Sequence, residues 1–262
     1  MEQERIQKIL SQLGVCSRRK AEQYIQEGRI KVNGQIVSEL GFKCSLEDEI
    51  AFDDEILKQG NEAPKKLVYL AFNKPYDVVS TASDPQGRKT VVDFIPKEYG
   101  RVFPVGRLDH NSTGLLIMTN DGEFANLVTH PSSSPEKEYM VKVKNPLKGD
   151  EVDRLAKGLY VMKEAYTAAP CKARVLKHDE NSVLFDIILH EGKKREIRHM
   201  MDTLDHPVKI LMRIRIGDIK LGRIPEGQFA PIDEEIIQKM KKECYERKAN
   251  NTYMMDDEEE EQ

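Results

Sequence analysis

The stretch of residues 105–122, VGRLDHNSTGLLIMTNDG, constrains the fold more than any other part of the chain. Its four bulky apolar residues, 115–118, are bounded by turn-forming residues, which predicts a buried strand. The polar turn before this strand therefore lies at the edge of a core, and it carries Asp109 close to Arg107. An aspartate before Asn and Ser often only caps its own turn, so the pattern alone leaves open whether Asp109 is a cap or a reactive group.

The 262 residues allow one large domain, or one domain with a small satellite. No apolar run approaches the roughly 18 residues of a membrane span, and the charged, amphipathic first residues do not form a signal peptide. Cysteines are widely spaced, as is typical of reduced thiols without a shared function. These features predict a cytoplasmic protein that does not bind membranes.

The charge distribution matters more than the net charge of −4. Six acids fall within residues 249–262, which contain no base, so the rest of the chain has a net charge of +2. Basic residues concentrate at residues 18–31 and 193–223, and local positive patches of this kind favour nucleic-acid binding. A block of acids is typically solvated, so we predict a disordered acidic tail over residues 248–262.

Residues 1–60 predict two short helices followed by a β-hairpin. Gly14 can end the first helix, Ser17 can cap the second, and Gly28 can end it. Asn33-Gly34 between alternating apolar residues is the strongest short-range hairpin signal. This region carries a group of basic residues that can form either a solvated face or a phosphate-binding face: Arg18, Arg19, Lys20, Arg29 and Lys31.

Residues 61–66 predict a polar linker, and residues 67–247 predict one α+β domain. Alternating apolar residues favour strands at 139–143 and 208–216, and an apolar run favours another at 183–189. A helix after Gly192 places its apolar residues on one stripe and leaves Arg195 and Arg198 off it. A terminal helix is expected over residues 232–245.

Two sets of motifs resemble known families. The string GVCSRRKAEQYIQEGRIKVNG, within residues 5–52, resembles the S4-type RNA-binding module. GRLD, STGL and TNDG resemble the signature loop of the bacterial ribosomal pseudouridine synthases, and KEYMVKV, HEGKKREIRHMM and VKILMRIRIGDIKLG resemble the later motifs of those enzymes. The resemblance implies an S4-type module joined to a synthase domain built on a mixed, mainly antiparallel sheet with flanking helices.

The resemblance also implies roles for individual residues. Asp109 corresponds to the catalytic aspartate, Tyr139 to the active-site tyrosine, and Arg198 to the arginine that pairs with the aspartate. Leu211 corresponds to the apolar residue of the base pocket. We expect further substrate contacts from basic residues of the same motifs: Arg107, Lys193, Arg195 and Arg213. Each of these residue types, taken alone, more often belongs to the core or to the solvated surface. The assignment of functional roles therefore depends on their occurring together in the motifs of one family.

Pseudouridine formation moves a uracil from a nitrogen link to a carbon link on the same ribose, without redox chemistry. We therefore expect no cofactor and no metal. The reaction needs an ionised carboxylate, which burial would neutralise unless a cation lies beside it. The uridine must also leave its stack. The expected partner is ribosomal RNA or a pre-ribosomal particle, bound by a monomeric enzyme.

Several alternatives remain. The stretch TASDPQGRKTVVDF resembles pseudouridine synthases that modify large-subunit ribosomal RNA more than those that modify small-subunit RNA. A pseudouridine synthase that acts on transfer RNA fits the sequence less well. A non-catalytic RNA-binding or ribosome-assembly protein with the same fold is the principal rival. His110 and Ser112 lie too close together in sequence to form a hydrolase triad with Asp109. The spacing HEGKKREIRH does not match the H-E-x-x-H zinc motif.

Overall fold

The computed structural model describes residues 3–58 and 66–260. The chain divides into two compact units, Met1–Leu67 and Val68–Gln262. The predicted linker, residues 61–66, lies outside the described residues except for Lys66. No helix in the described part of the chain combines the length and apolarity needed to cross a membrane.

The first unit combines a helix pair with short strands. In chain order its elements are β1 (Glu4–Arg5), α1 (Ile6–Gln12), α2 (Arg18–Gln26), β2 (Ile30–Val32), β3 (Gln35–Ile36), β4 (Lys43–Cys44), β5 (Ile50–Phe52) and β6 (Glu55–Lys58). Ser17 caps α2 as predicted, because its hydroxyl accepts from the Lys20 N–H at 3.2 Å. Asn33 and Gly34 both have positive φ, 49° and 78°, which is the turn that a two-residue hairpin between β2 and β3 requires. The predicted hairpin is therefore confirmed.

The second unit is built on one large sheet. Its elements are β7 (Tyr69–Lys74), β8 (Phe103–Val105), β9 (Thr113–Thr119), α3 (Gly122–Thr129), β10 (Lys137–Lys144), α4 (Gly149–Lys157), β11 (Leu159–Val161), β12 (Tyr166–Ala168), β13 (Lys172–Asp179), β14 (Ser182–Leu189), α5 (Glu196–Thr203), β15 (Val208–Ile216), β16 (Ile219–Lys220), β17 (Phe229–Pro231) and α6 (Glu234–Glu260). The sheet order is β13-β14-β10-β15-β9-β7-β17, with β8 beside β9 and β16 beside β15. Only β9 and β15 pair in parallel among the described strands of this sheet, so the predicted mixed, mainly antiparallel sheet is confirmed.

Strand β9 lies between two apolar cores. Leu116 and Met118 face the core that contains Phe185 and Met200, whereas Leu115 and Ile117 face the core formed with α3 and α6. A strand that is covered on both faces is apolar at every position. This explains why residues 115–118 form a continuous apolar run instead of alternating.

Strands β9 and β15 approach each other closely at Gly114. Gly114 pairs with Arg213 and has φ of 97°. A Cβ at this position would lie 2.3 Å from the Arg213 carbonyl oxygen and 2.8 Å from its nitrogen. Only glycine fits here, and the contact fixes the strand that follows the Asp109 turn against the strand that carries Leu211 and Arg213.

The final helix, α6, spans Glu234–Glu260. Disorder of the chain from residue 248 stays a prediction. The Arg247 guanidinium donates to the Ser134 carbonyl at 3.4 Å, and the Asn251 amide donates to the Ser132 carbonyl at 2.7 Å. These tertiary hydrogen bonds hold the helix beyond its apolar part, and a count of acidic residues could not reveal them.

Candidate active site

An open cleft of about 870 Å³ lies in the second unit. The loop between β8 and β9, residues 106–112, lines it together with the segment between β14 and α5, residues 190–195, which we call the 190–195 segment. The cleft brings together most of the predicted site residues: Arg107, Asp109, Tyr139, Lys193, Arg195, Leu211 and Arg213. These residues are far apart in sequence, so the fold assembles the predicted set in one place.

Backbone and side-chain hydrogen bonds hold the Asp109 loop. The Ser112 N–H donates to the Asp109 carbonyl at 3.0 Å, and the Asp77 N–H donates to the His110 carbonyl at 2.7 Å. The Ser80 hydroxyl donates to the Leu108 carbonyl at 2.8 Å. The Asp109 side chain itself is 34% exposed, so the loop is fixed while its carboxylate remains accessible from the cleft.

Lys74 supports the same loop from within the protein, and sequence reasoning missed it. It is fully buried, and its ammonium donates to the carbonyls of Pro75 and Ser112, both at 2.8 Å, and to that of His110 at 3.4 Å. Burial lowers the pKa of Lys74 to about 8, and the negative charge of Asp109 opposes that shift. The position of Lys74 at the end of an apolar strand is the sequence signal that could have identified it.

Arg198 and Asp109 form no direct ion pair among the described residues, so their predicted pairing stays a prediction. Among the described residues, the cation paired with Asp109 is Arg195, whose Nη1 lies 3.9 Å from Oδ2. Arg198 donates instead through Nη2 to the Asn111 carbonyl at 2.7 Å and to the Ser112 hydroxyl at 3.2 Å. Its pKa is lowered by burial and by the charge of Arg195, while Asp109 opposes this shift through space.

The backbone explains which arginine forms the ion pair. Arg195 has φ of 55° and precedes the first residue of α5. This left-handed conformation is uncommon for a residue with a Cβ. Arg198 lies inside α5 and has its Nη2 donors committed to the Asp109 loop. Arg195 therefore provides the cation, and Arg198 holds the loop in position.

Strands β10 and β15 supply the floor of the cleft. Tyr139 pairs with Arg213, and Val141 pairs with Leu211. Tyr139 is 9% exposed and Leu211 is 8% exposed, so both present limited apolar surface. The Arg213 Nε donates to the Leu115 carbonyl at 2.8 Å, whereas its buried Nη2 has no hydrogen-bond partner among the described residues. The floor is thus apolar, with one guanidinium donor to spare.

Lys137 adds a second basic group at the floor. Its ammonium donates to the Pro135 carbonyl at 3.1 Å and to the Ser134 hydroxyl. Burial and the charge of Arg213 lower the pKa of Lys137 to about 8. Within residues 3–58 and 66–260 no cluster of three or more His, Cys, Asp or Glu side chains could hold a metal ion.

In the first unit, the five predicted RNA contacts fall into two groups. Arg29 donates to Asp53 at 2.8 Å and lies over the rings of Tyr24 and Phe52, at 4.4 Å and 4.7 Å from their centroids. Lys31 forms an ion pair with Asp54. Arg18, Arg19 and Lys20 are exposed on α2, and Lys20 lies 4.8 Å from the Tyr24 ring centroid. The α2 residues are therefore the better candidates for phosphate contact.

An accessible carboxylate in a cleft lined by basic side chains, together with a basic helix face on α2 of the other unit, is typical of an enzyme that acts on a polyanion. The family of RNA pseudouridylate synthases matches residues 68–203, and the S4 domain matches residues 4–50. The chain belongs to the RNA pseudouridylate synthase family and carries an S4 domain.

Individual relatives agree with this assignment. Ribosomal large subunit pseudouridine synthase B of Bacillus subtilis is 37% identical over 240 residues, which cover 91% of this chain and 96% of that protein. An uncharacterized RNA pseudouridine synthase of Aquifex aeolicus is 39% identical, covering 90% of this chain and 94% of that protein. A pseudouridylate synthase of known crystal structure is 28% identical with a TM-score of 0.63, covering 90% of this chain and 99% of the other.

Proposed function

We propose that this enzyme isomerises a uridine of large-subunit ribosomal RNA to pseudouridine, with Asp109 as its catalytic residue. The observation that carries the proposal is the accessible Asp109 carboxylate, which is fixed by its loop and lies beside Arg195 in a cleft with an apolar floor. The large-subunit RNA is supported by the name of the Bacillus relative.

The reaction balances without a redox partner. The bond between N1 of the uracil and the ribose carbon breaks, the uracil turns, and C5 forms a new bond to the same carbon. A proton leaves C5, and N1 gains one. Asp109 attacks or stabilises the detached intermediate as an ionised carboxylate, and the Arg195 guanidinium lies 3.9 Å from it.

The other groups hold the substrate. A uridine flipped out of its stack enters the cleft at a cost of a few kcal/mol, where Tyr139 stacks on the base and Leu211 packs against it. Arg213 lines the cleft beside them, and its buried Nη2 lacks a partner among the described residues. Lys193 and Arg107 contact flanking phosphates, as does the basic face of α2 in the S4 domain.

Tritium release from ribosomal RNA that carries [5-³H]uridine tests the proposal, because only loss of the C5 proton frees the label. The parent should release it, and Asp109→Asn should lower the rate by about 10³-fold or more, since it removes the charge without a change in volume. The matched control is Asp77→Asn, which changes an exposed aspartate of the neighbouring loop.

Two results would contradict the proposal. Residual activity of Asp109→Asn within about tenfold of the parent would exclude Asp109 as the catalytic group. A parent that binds the RNA without releasing tritium would favour the non-catalytic assembly factor. Mapping of pseudouridines in a deletion strain then identifies the modified nucleotide.

We also infer that the enzyme acts as a monomer in the cytoplasm. All residues that line the cleft belong to the second unit of a single chain, so no partner subunit is needed to complete it. Sedimentation at micromolar concentration should give the mass of a single chain, and a stable dimer would contradict this.

A further inference from the structure

Contacts within and around the 190–195 segment determine where Lys193 and Arg195 lie. Glu191 accepts from the Ala169 N–H at 2.9 Å through one oxygen and pairs with the Lys193 ammonium at 2.7 Å through the other. The Lys193 N–H donates to Oε2 of Glu196 at 3.1 Å. Two glutamates therefore anchor the two ends of the segment that faces Asp109.

The carboxyl of Glu196 is buried, whereas that of Glu191 is 26% exposed. Glu196 is 3% exposed, and its Oε1 is buried without a hydrogen-bond donor among the described residues. Both carboxyls lie against Lys193, that of Glu191 at its ammonium and that of Glu196 at its N–H, so Glu191 is a carboxyl neighbour of Glu196. Two ionised carboxylates would repel each other strongly here, whereas one proton between them satisfies both oxygens.

We propose that Glu196 retains a proton and donates it in a hydrogen bond to the Glu191 carboxylate, and that this pair positions Arg195 and Lys193 in the cleft. Glu196 is thus a positioning residue, because it acts through Arg195 and does not touch the reacting atoms. Loss of the proton introduces a second negative charge, separates the carboxyls and displaces the segment. The inference rests on the proposed function, since isomerisation is one of its readouts.

The titration behaviour agrees with this geometry. Burial and the neighbouring Glu191 raise the pKa of Glu196 to about 8. Burial acts against ionisation of Glu191, but the hydrogen bond from Glu196 lowers its pKa on balance. Glu196 is therefore the protonated partner, and its proton is lost in the mildly alkaline range.

Other charged and titratable groups also face Glu196. From its own segment these are Glu191 and Lys193, and from neighbouring elements they are Tyr166, Cys171 and Lys137. Burial, with the charge of Glu196, raises the pKa of Tyr166 to about 12 and that of Cys171 to about 11, so both remain protonated. Lys137 titrates near the same pH as Glu196, so the test must compare variants over the same pH range.

Glu196→Gln isolates the proton. The amide always carries N–H donors, so it can donate to Glu191 at any pH, while the titrations of Lys137 and of the RNA remain in both proteins. Single-turnover rates and dissociation constants are measured on a full-length large-subunit rRNA transcript labelled with [5-³H]uridine, from pH 7 to pH 9. Glu196→Ala removes the donor altogether, and Glu235→Gln on exposed α6 surface is the neutral control.

The expected result is a rise in the rate ratio of Glu196→Gln to parent by about tenfold from pH 7 to pH 9, as a group of pKa about 8 goes from about one tenth to about nine tenths ionised. At pH 7 the Gln variant should match the parent, and a folded Ala variant should be slower. Parallel profiles of parent and Gln variant, or a folded Gln variant inactive at pH 7, would overturn the inference.

The two proposals fail in different ways. A parent that released no tritium from this RNA would contradict the proposed reaction. The positioning inference would then be decided by the ratio of dissociation constants over the same pH range. If the parent loses affinity for the RNA relative to Glu196→Gln as the pH rises, the shared proton is supported. A ratio of dissociation constants that stays constant with pH overturns it.

Discussion

At the scale of single residues, Lys74 shows how a buried charge can organise a reactive loop. Replacement by methionine keeps the length of the side chain but leaves the carbonyls of Pro75 and Ser112 without the Lys74 donor, while the His110 carbonyl keeps only the Asp77 N–H. We expect a loss of about 3 kcal/mol in unfolding free energy and a larger drop in turnover than in RNA affinity. Urea unfolding and single-turnover kinetics measure the two effects, and a variant with parental turnover would contradict this role.

Gly114 offers a second test at this scale. Gly114→Ala should destabilise the protein by about 3 kcal/mol or more, because φ is positive and the new Cβ would collide with the backbone of β15. Gly87→Ala is the matched control, since Gly87 also has positive φ but nothing within 4 Å of the added Cβ. The control should lose only about 1 kcal/mol. Equal losses in thermal unfolding would show that backbone conformation, and not the close approach of the strands, sets the cost.

At the scale of elements, a buried hydrogen-bonded pair joins α4 to the turn after α5. His206 Nε2 lies 3.0 Å from Oε2 of Glu151, and Nδ1 lies 3.2 Å from the Lys144 carbonyl. Burial opposes ionisation of Glu151, but the Lys148 N–H and His206 lower its pKa on balance. A depressed pKa contributes stability above the ordinary pKa of a glutamate, and this contribution is lost as the pH falls through the folded-state value.

Glu151→Gln should therefore unfold at a lower temperature than the parent at pH 7, by the equivalent of about 2 kcal/mol. The difference should shrink as the pH falls below about 4.5, the ordinary value for this carboxyl. Asp150→Asn, on the exposed side of the same helical turn, is the control. A difference that stayed constant down to pH 3 would show that the carboxylate charge is not what stabilises this junction.

The elements also show what a sequence can reveal. Strand β15 occupies residues 208–216, as alternation predicted, because one local period suffices to identify it. The hydrogen bonds of α6 to the Ser132 and Ser134 carbonyls could not be predicted, because these partners lie far from α6 in the sequence. The choice between Arg195 and Arg198 depended on a left-handed residue before α5, and the burial of Lys74 depended on carbonyls far along the chain. No local pattern encodes the left-handed residue, and the position of Lys74 at the end of an apolar strand is the one local sign of its burial.

At the scale of the whole molecule, we expect the S4 domain to contribute mainly to RNA binding and the synthase unit to perform the chemistry. Arg18→Gln with Arg19→Gln should remove exposed charges, weaken RNA binding and flatten its log–log salt dependence by about one unit per lost phosphate contact. The chemical step at saturating RNA should change little. Arg29→Gln with Lys31→Gln is the matched control, because both residues are already paired with Asp53 and Asp54.

A salt series of binding and single-turnover measurements decides between these expectations. If the Arg18 and Arg19 changes left affinity and salt slope intact but slowed the chemical step, the α2 face would not be a phosphate anchor. If the Arg29 and Lys31 changes had the larger effect on salt slope, those ion pairs would have to open when RNA binds.

The three carbonyls gathered on the Lys74 ammonium have a further consequence for selectivity. A loop that is held by hydrogen bonds at both His110 and Ser112 loses its conformational entropy once, when the protein folds, and not at each encounter with RNA. The enzyme then does little of the adapting, and the RNA must deform to reach a stationary carboxylate. An RNA whose uridine is too firmly stacked would bind to the enzyme as a competitive inhibitor without being modified. The free energy needed to unstack the uridine would therefore help to determine which site is modified.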